Sequence, residues 1–131
     1  MSRLHGSCLC GGIRFTLPRP GGPVTACHCR QCRKLSGHYS ASFDTDEAAL
    51  AWVSRDTEGT YRTPGGGLRG FCTGCGASVW FRAADGAFSV EAGAIDGPTG
   101  LRLAEHIFVA DKGDYYDIAG GLPQHRGRGD D

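Results

Sequence analysis

Apolar and polar side chains alternate along this chain in short runs, not in long helical stripes. Ile13-Arg14-Phe15-Thr16-Leu17 has the period of two that buries one face of a strand, and Pro18-Arg19-Pro20-Gly21-Gly22-Pro23 ends it. The same pattern predicts strands over residues 39–43, 78–82, 88–92 and 106–109, with a last short one over 115–118. Residues 60–63 and 68–71 flank Pro64-Gly65-Gly66-Gly67 as a strand pair that delivers the chain to Cys72. Only two segments read as helical. Residues 33–36 fit a single turn stopped by Gly37, and residues 46–50 a short helix with an acidic first turn. The expected class is therefore mainly β, with antiparallel strands and few short helices.

Composition supports that class and limits the partners. With 131 residues the chain has the length of one domain, and 22 glycines with 6 prolines keep its periodic segments short. Residues 1–119 read as a single domain, and residues 120–131, polar and Gly-rich, as a mobile tail. Fourteen basic side chains balance fourteen acidic ones, so nothing in the net charge draws the chain to nucleic acid or to an anionic membrane. Arg126-Gly127-Arg128 is too short a basic tract to change this. No apolar run has the length of a membrane span and the N-terminus lacks a signal-peptide core, so the expected location is cytoplasmic.

The cysteines carry the chemistry. In a reducing compartment seven of them read as metal ligands or reactive thiols, and an odd count cannot pair completely within one chain. Cys72-Thr73-Gly74-Cys75-Gly76 is a knuckle by spacing, supplying half of a tetrahedral site. Cys8-Leu9-Cys10-Gly11-Gly12 supplies the other half, because alternate side chains of an extended segment point the same way. Together the four make a structural zinc site that clamps the N-terminal segment to the middle of the chain.

Cys27-His28-Cys29-Arg30-Gln31-Cys32 packs three thiols into six positions, one short of a closed zinc site and so suited to a second zinc with an open position. Extended geometry sends His28 away from its neighbours, which leaves water, an incoming thiol, His38 or another side chain to fill the gap. Three thiolates leave such a site at a formal charge of about −1, which Arg30, Arg33 and Lys34 offset nearby while offering contacts to an anionic substrate. The plainer alternative is a second structural zinc with these cations solvated. His5, His38, His106 and His125 are individually weak signals, and Trp52, Trp80 and Tyr115-Tyr116 read most simply as core or rim aromatics.

Ser7-Cys8-Leu9-Cys10-Gly11-Gly12, Cys27-His28-Cys29-Arg30-Gln31-Cys32, Phe71-Cys72-Thr73-Gly74-Cys75-Gly76 and His106-Ile107-Phe108-Val109 occur together in the order in which they stand in one family. The chain resembles the glutathione-dependent formaldehyde-activating enzymes, a family that includes centromere protein V. That resemblance implies a β-tent fold of antiparallel sheets, a structural zinc on Cys8, Cys10, Cys72 and Cys75, and a catalytic zinc on Cys27, Cys29 and Cys32. It also implies a carbon–sulfur lyase that joins a small-molecule thiol, glutathione, to a small aldehyde, formaldehyde. Tyr115 stands where many members carry Trp. The competing expectation is a non-catalytic, zinc-stabilised module that binds glutathione or a protein partner. No Ser-His-Asp set or phosphate loop offers a third chemistry.

Overall fold

Strand β1 (Arg3–Ser7) and strand β2 (Ile13–Pro18) form an antiparallel hairpin whose register sets Gly6 opposite Phe15 and Leu4 opposite Leu17. Alternation decides which side faces in: Ile13, Phe15 and Leu17 are buried, while Arg14 and Pro18 are exposed. Each buried side chain of this kind contributes about 2 kcal/mol. The chain continues through β3 (Val24–Cys27), the helix α1 (Arg30–Ser36), β4 (Ser40–Thr45), β5 (Ala51–Arg55), β6 (Glu58–Arg62), β7 (Leu68–Cys72), β8 (Ser78–Arg82), β9 (Phe88–Glu91) and β10 (Leu103–Ile107). This computed structural model describes residues 3–128. Among them no helix is long and apolar enough to cross a membrane.

Two compact units divide the chain. The first comprises the residues up to Gly22 together with Phe43–Gly100. In it β1, β2 and β5 make one antiparallel sheet, and β9, β8, β7 and β6 follow one another, antiparallel at each step where the register is recorded. Its core contains Phe43, Val79, Trp80 and Val90 besides the apolar face of β2. Trp80 is held at both ends. Its ring lies across from Gly70 in the β7–β8 register, and its indole N–H donates to Glu58 Oε2 at 2.8 Å, a carboxylate that Arg55 also grips from Nε and Nη2.

The second unit comprises Pro23–Ser42 and the residues from Leu101 on. Its strands β3 and β10 run parallel, the one departure from the antiparallel expectation among the registers described. The pairing is extended by the Val24 amide donating to Arg102 O at 2.9 Å and the His28 amide donating to Ile107 O at 3.0 Å. Helix α1 begins three residues earlier than its sequence suggests, because the Cys29 side chain caps it: Sγ accepts from the Cys32 amide at 3.3 Å. Gly37 ends it at φ 80°, as predicted.

Several elements differ from the sequence reading. β1, β3 and β5 lie in segments where no strand was predicted, and β10 is displaced toward the N-terminus, ending before Phe108. Residues 115–118 form no strand. There the Lys112 ammonium donates to the carbonyls of Gly113 and Tyr116, which curls the backbone, and Tyr116 turns its hydroxyl to His28. Of the segment 120–131, expected to be mobile, residues 123–127 are hydrogen-bonded to the end of β10: His106 N to Pro123 O at 2.9 Å, His125 N to His106 O at 2.9 Å and Phe108 N to Gly127 O at 2.8 Å. Residues 129–131 lie outside the described residues.

A Cβ added at Gly70 would overlap the indole of buried Trp80. Gly70→Ala is therefore expected to destabilise the protein by about 3 kcal/mol, read as a lowered denaturant midpoint with an unchanged slope.

Candidate metal centres

Two turns of the first unit converge on one point. The segment between β1 and β2 carries Cys8 and Cys10, and the segment between β7 and β8 carries Cys75 after Cys72 at the end of β7. All four sulfurs lie within 4.8 Å of one another, with Cys8–Cys10 at 3.7 Å and Cys10–Cys72 at 3.6 Å. Bonds of about 2.3 Å to a tetrahedral ion place sulfurs roughly 3.8 Å apart, so the spacing fits a metal of that kind. Gly11 at φ 82° and Gly76 at φ 80° let each turn fold back behind its first cysteine, and their amides donate to Cys8 O and Cys72 O.

Amide donors surround these sulfurs as they would thiolates. Ile13 N points at Cys8 Sγ, and Gly74 N and Cys75 N at Cys72 Sγ, each at 3.3 Å. The Thr57 hydroxyl, 3.0 Å from Cys72 Sγ, and then the Cys75 amide hold the Cys72 thiol down at about 6. At Cys10 the Gly12 amide favours the thiolate, but the neighbouring sulfurs of Cys72 and Cys8 outweigh it and push the thiol up to about 11. Four thiolates at this range repel one another. A cation at their centre is what would allow all four to ionise.

The second cluster lies in the second unit and is local in sequence. Cys27 ends β3, Cys29 caps α1 and Cys32 is buried on that helix; their three sulfurs again lie within 4.8 Å of one another. Among the described residues no histidine, aspartate, glutamate or further cysteine joins them in that range. Here too charge divides unevenly. Hydrogen bonds from the Cys27 and Cys32 thiols hold Cys29 down at about 2, while Cys27 is pushed far up, first by its bonds to Cys29 and Cys32 and then by burial. This cluster also could hold a metal ion, with one coordination position left for something other than these side chains.

Neither nearby histidine is the missing donor. His28 is fully buried, with Nδ1 2.6 Å from Tyr116 Oη and Nε2 2.9 Å from His106 Nδ1. Burial, then the proximity of His106, His38 and Lys112, lowers its pKa to about 4, so the ring is neutral near pH 7 and carries one N–H. His38 packs its ring against Tyr39 at 4.4 Å and edge-on to Tyr116 at 4.3 Å. Of the three cations singled out in the sequence, Arg30 and Lys34 are exposed on α1 and Arg33 is half-buried. Arg33 Nε is buried without a hydrogen-bond partner among the described residues. Sequence reasoning did not find the roles of Tyr116, His106 and Thr57. The alternation of Cys27-His28-Cys29 turns His28 away from its neighbours, but no local signal says what it meets.

Residues 3–111 match the family described as glutathione-dependent formaldehyde-activating enzyme. The chain belongs to this family. Its curated relatives include a Halomonas elongata protein named provisionally as a glutathione-dependent formaldehyde-activating enzyme, 32% identical over 85 residues, which are 59% of this chain and 54% of that protein. The chain thus matches about half the length of that relative. An uncharacterized lyase of Schizosaccharomyces pombe is 25% identical over 91% of this chain and 88% of its own. The crystal structure of a Rhodobacter sphaeroides protein shares the fold, with a TM-score of 0.61 at 17% identity, covering 92% of this chain and 98% of that one. Both cysteine clusters fall within the segment that matches the family.

A metal ion held by Cys8, Cys10, Cys72 and Cys75 would close a loop of some sixty residues, and a crosslink of that length is worth about 4 kcal/mol by loop entropy. Cys8→Ala or Cys75→Ala is expected to lower the melting temperature and soluble yield by a loss of that order. Thermal denaturation of the purified variants beside the wild type measures it.

Proposed function

We propose that the protein is a zinc-dependent enzyme of the carbon–sulfur lyase type, acting on a glutathione-like thiol and a small aldehyde such as formaldehyde. The observation that carries this reading is the three-sulfur cluster, which has no fourth side-chain donor among the described residues, in a chain of this family. Zinc bound there would supply the positive charge that keeps a thiol nucleophilic or polarises an aldehyde oxygen. Cys27, Cys29 and Cys32 are its ligands, with Cys29 fixed by the α1 amide of Cys32. A sulfur–carbon bond forms, the carbonyl π bond breaks, and the thiol proton ends on the former carbonyl oxygen. Arg30, Arg33 and Lys34 offer positive charge to the carboxylates of the thiol substrate.

In the same reading Cys8, Cys10, Cys72 and Cys75 bind a structural zinc, because four protein donors leave no position for a substrate. That gives two zinc ions per chain. The family's description supports the pair of substrates, and the word lyase in the name of the yeast relative supports the reaction class. Seven free cysteines suit a reducing, cytoplasmic location.

Elemental analysis of freshly reduced protein is expected to give two zinc ions per chain, and Cys32→Ala to give one. The Cys32→Ala variant keeps its circular dichroism spectrum, since its cluster closes only a short loop, but loses formaldehyde consumption in the presence of glutathione. Full activity in a variant lacking the second zinc overturns the catalytic assignment. Absence of turnover in zinc-replete wild type favours a non-catalytic binding module.

A further inference from the structure

Between two of the sulfur donors stands a buried histidine that neither cluster uses. Both ring nitrogens of His28 are engaged, Nδ1 by Tyr116 Oη at 2.6 Å and Nε2 by His106 Nδ1 at 2.9 Å. Those partners come from separate places, His106 from β10 and Tyr116 from the turn that follows Lys112. A buried imidazole bonded on both sides by groups of different segments cannot slide or rotate without leaving a buried polar atom unpaired. Two proton arrangements satisfy it. Tyr116 donates to Nδ1 while Nε2–H donates to His106, or His106 donates to Nε2 while Nδ1–H donates to Tyr116.

The backbone on either side of the ring is constrained as well. The His28 amide donates to Ile107 O at 3.0 Å, and the next residue of that segment, Phe108, has φ 56°. It is the one non-glycine residue with positive φ among the described residues. This conformation is disfavoured for a side chain of that size, and it is held by the Phe108 and Val109 amides donating to Gly127 O and His125 O. On its other flank Cys29 is tied to α1 through the Cys32 amide. Cys27 and Cys29 therefore lie on a stretch of chain pinned through the side chain of the residue between them.

We propose that His28, held by Tyr116 and His106, is a positioning residue that sets the geometry and hence the metal affinity of the Cys27–Cys29–Cys32 cluster. The inference rests on the reading of that cluster as a zinc site, and it names residues outside the ligand set that tune it. Three protein donors give less affinity than four, so such a site depends more heavily on having its donors preorganised. Outer-shell partners of metal ligands commonly change affinity 10- to 100-fold when removed.

The test is metal binding, independent of turnover. Competition with a chelator gives the zinc affinity of each cluster, and NMR of cadmium-loaded protein separates four-sulfur from three-sulfur coordination. Tyr116→Phe removes one hydroxyl. It is expected to weaken zinc at the three-sulfur cluster about 10-fold and to shift only the three-sulfur cadmium resonance, leaving the four-sulfur resonance and the four-sulfur affinity unchanged, with a small drop in melting temperature from the unpaired His28 Nδ1. His28→Leu, which loses both contacts, is expected to weaken the same cluster about 100-fold. His28→Asn, whose amide reaches the place of Nδ1, is expected to recover part of that loss. Should His28→Leu not fold, Tyr116→Phe decides the matter. Wild-type affinity with an unmoved resonance in Tyr116→Phe overturns the proposal. Equal weakening of both clusters with a lower melting temperature also overturns it, because that pattern marks a structural role. A wild-type protein that takes no metal at the three-sulfur cluster overturns the zinc reading itself, and that result is visible before any variant is made.

Discussion

Sulfur atoms from two distant turns held within 4.8 Å of one another are the constraint on which the first unit depends. The turn that carries Cys8 and Cys10 belongs to the sheet of β1, β2 and β5, and the turn that carries Cys72 and Cys75 belongs to the run of β6 to β9. Apolar packing alone does not specify such a convergence, because thiols are weak hydrogen-bonding groups and thiolates repel. The amides aimed at Cys8 and Cys72 and the Thr57 hydroxyl favour charge on those sulfurs, whereas Cys10 resists it. The conflict is resolved if a cation shares the space, and the glycine-closed turns leave the sulfurs at the separation such an ion needs. Folding of this unit and metal binding are then two views of one equilibrium.

The second cluster obeys a different logic. Its three cysteines span six positions, so the chain closes no long loop through them and the fold gains little from their convergence. What fixes them is local: strand alternation up to Cys27, the helix cap at Cys29 and the helical position of Cys32. Cys29 caps the helix, its sulfur accepting from the Cys32 amide, and the same contact fixes the sulfur that a metal ion at this cluster would meet. The polar contacts of His28 extend this local order to β10, whose end is in turn tied to residues 123–127.

Most of this organisation was legible in the chain. Period-two alternation predicted β2, β8 and β9 closely because each buries alternate or adjacent apolar residues that nothing else explains. The pairs Cys8–Cys10 and Cys72–Cys75 and the triple Cys27–Cys29–Cys32 followed from spacing, since short-range spacing is itself geometry, and the two pairs were joined because each supplies only half of a tetrahedral set. Long-range pairing left weaker traces. β1 contains Gly6, which reads as a breaker but is required beneath the Phe15 ring, where an added Cβ would overlap it. β5 alternates Trp52 and Ser54 with exposed Ala51, Val53 and Arg55, the reverse of a simple apolar face, because it lies at the edge of its sheet. Tyr115 and Tyr116 have the composition of a strand, yet Lys112 bends the backbone there, and a lysine reaching its own neighbouring carbonyls has no signature in sequence. The polar segment after Gly120 hides its contacts for a similar reason, as its bonds to β10 are made by the backbone apart from the His125 Nε2–Glu105 Oε1 contact at 3.2 Å.

Donor count and sequence separation divide labour between the clusters in the function proposed here. Four donors from distant turns give a closed, tightly held ion, which is useful for stability and useless for chemistry because no position remains for a substrate. Three donors from one short segment give an open position at the cost of affinity, and the protein offsets that cost with rigidity around the donors in place of a fourth ligand. Charge follows the same division. A divalent ion on three thiolates carries a formal charge of about −1, so a carboxylate-bearing thiol would be repelled without compensation. The exposed Arg30 and Lys34 and the half-buried Arg33 stand on the very helix that Cys29 caps and Cys32 occupies. Placing the compensating cations on the ligand-bearing helix ties substrate attraction to the integrity of the site, because whatever orders α1 orders both.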